Sequence, residues 1–136
     1  MQFKMNENGF EHKTSFGTLE VSGNEEFGFR PYQLLVSSIA VCSGGVLRKV
    51  LQKKRISFSD IELTADVTRN EAGVNEVTDV ALHFTIIGTD ASRQTIAKAL
   101  SLATKNCPIV QSVNKSIRIT EDFTLRNEVV DSKTCL

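Results

Sequence analysis

The sequence predicts an α+β domain in which helices pack on an antiparallel sheet. Apolar residues alternate with polar ones in several short segments, a long helical pattern follows Pro31, and a second helical pattern stops at Pro108. The order is strands, one long helix, two strands, helices and a strand, which is typical of the α+β class. The 136 residues are expected to form one domain over residues 1–136.

Strands are predicted at both ends of the chain and in its middle. The first thirty residues alternate in short runs broken by turns, and longer alternation occurs at residues 61–67 and 80–86. The polar stretch 69–73 between these two runs favours an antiparallel pair. A closing strand is expected at residues 117–125, followed by a frayed tail at 127–136.

Pro31 begins the longest predicted helix, because proline is favoured in the first turn, where its missing N–H needs no partner. Apolar residues three and four positions apart extend the helix to about Arg55. Gly44 and Gly45 would each cost about 1 kcal/mol in an exposed helix, so they indicate close approach of another backbone or a local break. The face predicted to be buried carries Leu35, Ile39, Cys42, Val46 and Val50.

A second helix is expected between Asp90, as its N-cap, and Cys107. A residue before proline is disfavoured in the helical conformation, so the helix should end near Cys107. Pro108 can then begin a short third helix. Cys107 would lie beside the N-terminus of that helix, where unpaired N–H groups lower the pKa of a thiol.

Composition gives no reason to expect a nucleic-acid or membrane partner. Sixteen basic and sixteen acidic residues balance, and the basic run at residues 53–55 is typical of a solvated helix end. No apolar stretch is expected to reach the roughly 20 residues that cross a bilayer. The N-terminus lacks the apolar region of a secretory signal, so we expect a cytosolic location, where thiols stay reduced.

The cysteines carry the strongest chemical signal. Cys42 and Cys107 fall on core-facing stripes of helices that should pack on one sheet, so the two thiols can come within disulfide range. Each alone is more typical of a small buried apolar side chain, and Cys135 is expected to be exposed and incidental. No CxxC or HxxxH spacing indicates a metal site. A Cys–His nucleophile pair using His83 is an open alternative.

Two segments around these cysteines resemble the signatures of the osmotically inducible protein C and organic hydroperoxide resistance (OsmC/Ohr) family. The segment at 30–43, RPYQLLVSSIAVCS, resembles the family's signature helix, and the segment at 105–112, KNCPIVQS, resembles its second cysteine box. The strand pair at 60–88 fits in order and spacing, so the resemblance covers nearly the whole chain. It implies an OsmC-like fold with antiparallel sheets around a long central helix, and an intertwined homodimer.

The resemblance also implies a chemistry. Cys42 would attack an organic hydroperoxide and become a sulfenic acid, and Cys107 would condense with it to a disulfide. An external dithiol would then restore both thiols, without a metal or another cofactor.

Two positions depart from the family's hydroperoxidases. Those enzymes carry a glutamate after the proline that begins the long helix, where this chain has Tyr32, and an arginine in the N-terminal strand region, where this chain has none before Arg30. Arg30 either replaces that arginine or is a solvated loop cation, and with Tyr32 it is the expected substrate-binding set. A noncatalytic ligand-binding or redox-sensing dimer on the same scaffold is therefore the alternative function.

Overall fold

A computed structural model describes residues 1–127 and contains, within that range, six strands and three helices. Most of the expected tail, including Cys135, lies outside the described residues. The chain divides between Ser38 and Ile39 into two compact units, each with its own three-stranded sheet. The α+β class with two sheets and a long helix confirms the predicted fold class.

The first unit contains a small antiparallel sheet. Its strands are β1 (Lys4–Met5), β2 (Phe10–Lys13) and β3 (Thr18–Val21), in the order β1-β2-β3. The chain passes so close to itself at Gly9 that an added Cβ would lie 2.2 Å from the carbonyl oxygen of Val21. Only glycine fits there, so this turn is fixed by the sequence.

The long helix α1 runs from Pro31 to Lys53, close to its predicted bounds, and continues from the first unit into the second. The helix continues without a break through the paired glycines, so the expected break was wrong, and no other backbone of the same chain lies close to them in residues 1–127. A Cβ added at Gly44 would meet only Leu63 Cδ2, at an ordinary 3.5 Å, and one added at Gly45 would meet nothing within 4 Å. Gly45 instead leaves open space along the helix, whereas Gly44 lies beside Leu63.

Helix α1 is more apolar than was predicted from the sequence. An 18-residue window within Pro31–Lys53 has a mean hydropathy of 1.6, so by length and composition alone it could cross a membrane. The expectation that no stretch approaches this limit was wrong. Core helices of soluble proteins meet the same criterion, and Ile39, Leu47 and Leu51 of α1 are fully buried.

The second sheet has the order β4-β5-β6, with β4 (Asp60–Arg69) antiparallel to β5 (Val77–Ile87) as predicted. Strand β6 (Arg118–Arg126) pairs parallel to β5, so the prediction of purely antiparallel sheets was wrong for this pair. The reason is the helical connection between them. A crossover of this kind returns the chain to the end of the sheet where β5 begins, and the next strand then runs in the same direction.

That connection consists of α2 (Arg93–Asn106) and α3 (Pro108–Val113). The N-cap of α2 is Ser92 and not Asp90, since the Ser92 hydroxyl accepts the Thr95 N–H at 3.1 Å. Helix α2 buries one apolar stripe, and β5 buries every second residue from Val80 to Ile86. The core of this unit includes Val80, Leu82, Phe84, Ile86, Ile96, Ala99, Leu100 and Ala103.

Candidate active site

Cys42 lies on α1 in the second unit and is half-buried. It lines an open pocket of about 700 Å³, a size that suits a small organic ligand. The lining is largely apolar, with two lysines one helical turn apart. The residues around Cys42 in this pocket are Val41, Gly45, Val46, Lys49, Val50, Lys53, Leu102, Asn106 and Pro108.

Cys107 is the single residue between α2 and α3 and is fully buried. Because it precedes Pro108, its backbone is extended, with φ −83° and ψ 109°. Its N–H donates to the Thr104 carbonyl oxygen at 3.4 Å, and its own carbonyl oxygen accepts the Gln111 N–H at 3.0 Å. Hydrogen bonds of both its N–H and its carbonyl oxygen therefore hold the Cys107 backbone in place.

The structure brings Cys42 and Cys107 together. Both are free thiols, and Cys42 lies near enough to Cys107 to raise the pKa of its thiol. Cys42 faces the pocket, whereas Cys107 lies buried behind it. An accessible thiol beside a second thiol is compatible with a dithiol–disulfide cycle, and the chemical roles of the two residues stay predictions.

The pKa of Cys107 is raised above the ordinary value for a thiol, mainly because burial disfavours the thiolate. The neighbouring Cys42 raises this pKa further, whereas the N–H groups of Val110 and Ile109 at the start of α3 lower it. The predicted lowering by the helix N-terminus is therefore outweighed by burial.

Sequence reasoning missed a polar cluster behind the two thiols. The hydroxyl of Ser43, fully buried, donates to Glu121 Oε1 at 2.7 Å, and the Thr104 hydroxyl is bonded to Glu121 Oε2. Exposed and less exposed residues alternate along β6. Glu121 is on the less exposed side of the strand, whose other residues are Ile119, Phe123 and Leu125. The sequence signal that could have indicated this cluster is one acidic residue, Glu121, among the apolar residues of an alternating strand.

Residues 22–122 match the family model of OsmC-like proteins. The chain belongs to the OsmC-like family. It is 28% identical over 94 residues to protein YhfA of Escherichia coli (strain K12), a match that covers 68% of this chain and 70% of YhfA.

Two solved structures are similar in fold. A hypothetical protein from Aquifex aeolicus VF5 superimposes with a TM-score of 0.82 at 23% identity, covering 94% of this chain and 96% of the other. An organic hydroperoxide resistance protein OsmC from Legionella pneumophila gives a TM-score of 0.66 at 22% identity, with 94% of both chains covered. These likenesses confirm the OsmC-like fold that the two cysteine segments predict.

The predicted substrate-binding residues of this OsmC-like chain lie together at the start of α1. The guanidinium carbon of Arg30 is 4.8 Å from the centroid of the Tyr32 ring, a cation–π contact. The backbone N–H of Arg30 donates to Gln33 Oε1 at 3.3 Å. Tyr32 therefore receives a cation on its ring face at the position where the resemblance expects a carboxylate.

His83 takes no part in the thiol site. Its Nδ1 contacts Asp122 Oδ1 at 2.5 Å and its Nε2 contacts Thr124 Oγ1 at 2.9 Å. Asp122 and Thr124 alternate with Glu121 along β6, so this histidine cluster lies on the opposite face of the sheet. The alternative of a Cys–His nucleophile pair using His83 is therefore not supported.

Proposed function

We propose that this OsmC-like protein reduces organic hydroperoxides through a dithiol–disulfide cycle of Cys42 and Cys107. The observation that carries the proposal is the pair of free, neighbouring thiols, of which one lines an apolar pocket and the other is buried. The likeness in fold to an organic hydroperoxide resistance protein supports the same chemistry. A redox or peroxide-resistance role is the broader form of this proposal.

In the first step the Cys42 thiolate attacks one oxygen of the hydroperoxide group. The O–O bond breaks, the organic part leaves as an alkoxide that takes up a proton to become an alcohol, and Cys42 becomes a sulfenic acid. The sulfur is oxidised by two electrons and the peroxide is reduced by two. The half-buried position of Cys42 in the pocket gives the substrate access to the sulfur.

In the second step the Cys107 sulfur attacks the Cys42 sulfenic acid, water leaves, and a disulfide forms. An external dithiol then reduces that disulfide by two exchange reactions and is itself oxidised to a disulfide. The net reaction converts one hydroperoxide and one dithiol into an alcohol, a disulfide and water. The burial of Cys107 keeps this resolving thiol away from solvent oxidants until Cys42 has reacted.

The pocket favours a hydroperoxide with a hydrocarbon body and an acidic group. Val46, Val50 and Leu102 supply apolar contacts. Lys49 and Lys53 line the same pocket and are exposed, and Lys49 lies about 10 Å along the helix from Cys42 at roughly 1.5 Å per residue. A fatty-acid-type hydroperoxide would place its carboxylate near these lysines, and hydrogen peroxide would gain nothing from either feature.

We further propose a homodimer that acts in the cytoplasm. Val41 is 71% exposed and Leu102 is 42% exposed, and both line the pocket beside Cys42. Apolar side chains this exposed around a proposed site suit coverage by a second subunit. Light scattering after size-exclusion chromatography should give the mass of two chains, and a single-chain mass would contradict the dimer.

The test is the steady-state consumption of cumene hydroperoxide with an excess of dithiothreitol. The wild-type protein should turn over many equivalents, and Cys42→Ser should reduce consumption to the rate without protein. Cys135→Ser is the matched control, since the proposed cycle assigns no role to that cysteine, and it should retain wild-type turnover. Wild-type consumption in the Cys42→Ser variant would contradict the proposal.

A second candidate is a redox-sensing or ligand-binding dimer without turnover. It is favoured by the contact of Tyr32 with Arg30, where the resemblance expects a carboxylate, and by the raised pKa of Cys107. This candidate predicts one stoichiometric oxidation of Cys42 and no sustained consumption of cumene or linoleic-acid hydroperoxide. Sustained turnover of either substrate would contradict it.

A further inference from the structure

We infer that Glu121 is a positioning residue that holds the Cys42-bearing and Cys107-bearing segments in register for disulfide formation. The inference rests on the proposed function, because it assigns Glu121 to the second step of that cycle. Glu121 touches neither thiol in the contacts that the structure describes for residues 1–127. Its effect would pass through the residues beside the two cysteines.

The two oxygens of the Glu121 carboxylate reach two different helices. Oε1 accepts the hydroxyl proton of Ser43 at 2.7 Å, and Ser43 directly follows Cys42 on α1. Oε2 is bonded to the hydroxyl of Thr104, in the last turn of α2. One side chain on β6 therefore links the helical turns that carry the two thiols.

The Thr104 contact reaches Cys107 through the backbone. The carbonyl oxygen of Thr104 accepts the Cys107 N–H at 3.4 Å and a side-chain N–H of Gln111 at 3.1 Å. A shift of Thr104 would therefore move Cys107 with it. Glu121 thus fixes the place from which the resolving thiol must attack.

Glu121 is an acidic residue among apolar neighbours. Neighbouring positions on the same side of β6 are Ile119 and Phe123, and the cross-strand partner of Glu121 is Leu82, which is buried. An acidic side chain on such a face is unfavourable unless hydroxyl or N–H donors satisfy its oxygens. Ser43, at 0% exposure, supplies one donor that would itself have no partner without Glu121.

The link that Glu121 makes between Ser43 and Thr104 matters because a disulfide forms only within a narrow range of geometries. The Cα atoms of the two cysteines must lie within about 7 Å, and displacement of reacting groups by about 1 Å can slow a reaction by about 100-fold. If the link is lost, the Cys42 sulfenic acid should persist. A persistent sulfenic acid is open to further oxidation to the sulfinic acid.

The experiment compares the two chemical steps in Glu121→Ala and Glu121→Gln. Rapid mixing with cumene hydroperoxide gives the rate of Cys42 oxidation, and quenched samples analysed by mass spectrometry give the rate of Cys42–Cys107 disulfide formation. Glu121→Ala should oxidise Cys42 within about twofold of wild type, form the disulfide at least tenfold more slowly, and accumulate sulfinic acid.

Glu121→Gln should restore the second step to within about threefold of wild type. The glutamine oxygen can accept from Ser43, and its NH₂ group can donate to the Thr104 hydroxyl. That hydroxyl already lies 3.0 Å from the Leu100 carbonyl oxygen and can give its proton to it. Glu62→Gln is the matched control, because Glu62 is an exposed carboxylate of the same sheet, paired with Arg126 at 2.7 Å, and its loss should change neither step.

Disulfide formation at the wild-type rate in Glu121→Ala would overturn the inference, and so would an equal slowing of both steps. If Glu121→Ala does not fold, Ser43→Ala and Thr104→Val remove one contact each, and the same selective slowing is expected in both. If the wild-type protein does not react with hydroperoxides, the proposed function fails by itself. The thiol oxidant diamide then forms the same disulfide, and an unchanged rate in Glu121→Ala would still overturn the positioning role.

Discussion

Within the second unit, helix α1 has two apolar faces that differ in what covers them. Ile39, Leu47 and Leu51 are fully buried in the core, whereas Val41 is 71% exposed and lies beside half-buried Cys42 in the pocket. Both faces carry apolar side chains and lie on the same helix, but the pocket face also carries Lys49 and Lys53. The comparison teaches that one face stabilises the fold and that the other is left open for a ligand or a second subunit.

The largest expected effect is the difference in stability between truncations on the two faces. Leu47→Ala removes fully buried methyl groups and should lower the free energy of unfolding by about 2–5 kcal/mol. Val46→Ala, on the pocket face, should cost less than about 1.5 kcal/mol, since Val46 is only half-buried. Urea unfolding of both variants measures the difference, and equal losses would show that the pocket face is also core.

Removal of the buried thiol should affect turnover and not the first oxidation. Cys107→Ser should slow steady-state peroxide consumption by about 10- to 100-fold, or about 1.4–2.7 kcal/mol, because the Cys42 sulfenic acid loses its resolving partner. Oxidation of Cys42 by one equivalent of hydroperoxide should continue. Trapping with dimedone should label Cys42 in the variant and much less in the wild type; absence of labelling would contradict the assigned roles.

Charge removal at the pocket should have a smaller and selective effect. The double substitution Lys49→Gln and Lys53→Gln should raise KM for linoleic-acid hydroperoxide by about 3- to 10-fold, since each exposed ion pair contributes about 0.2–1 kcal/mol. The KM for uncharged cumene hydroperoxide should not change. An equal rise for both substrates would show that the lysines do not recognise a carboxylate.

The smallest expected effect is on stability at high pH. Since the folded pKa of Cys107 is raised, the folded protein keeps this proton where the unfolded thiol, with a pKa of about 8.5, has lost it. Stability should therefore fall as pH rises above about 8.5 through the folded pKa, by at most about 1.4 kcal/mol per pH unit. Urea unfolding at pH 7.5 and 9.5 under reducing conditions should show this loss, and Cys107→Ala should lack it.

The sequence predicted most elements because their local signals were strong. Pro31 set the start of α1, Pro108 separated α2 from α3, and period-two alternation located β4 and β5. The parallel pairing of β6 could not be predicted in the same way. Alternation reports which face a residue occupies but carries no direction, so the pairing depends on the path of the intervening helices.

The candidate site was only partly predictable. Cys42 and Cys107 stood out through two apolar stripes, and Ile39 on the predicted stripe of α1 is fully buried. Beyond Ile39, however, the fully buried residues are Ser43, Leu47 and Leu51, each one position past the predicted Cys42, Val46 and Val50. A helix that is apolar on two sides gives no basis for choosing between adjacent stripes.

Glu121 was missed for a different reason. Its partners on α1 and α2 are distant in the chain, and only the fold brings them together. The pKa of Cys107 was likewise misjudged because burial, which outweighs the helix N-terminus, is a property of the folded protein.

Peptide mass spectrometry of the protein treated with one equivalent of cumene hydroperoxide tests the central claim most directly. The prediction is a single Cys42–Cys107 disulfide, formed within the same chain and reversed by dithiothreitol. A protein that consumes the hydroperoxide while Cys107 remains a free thiol would contradict it.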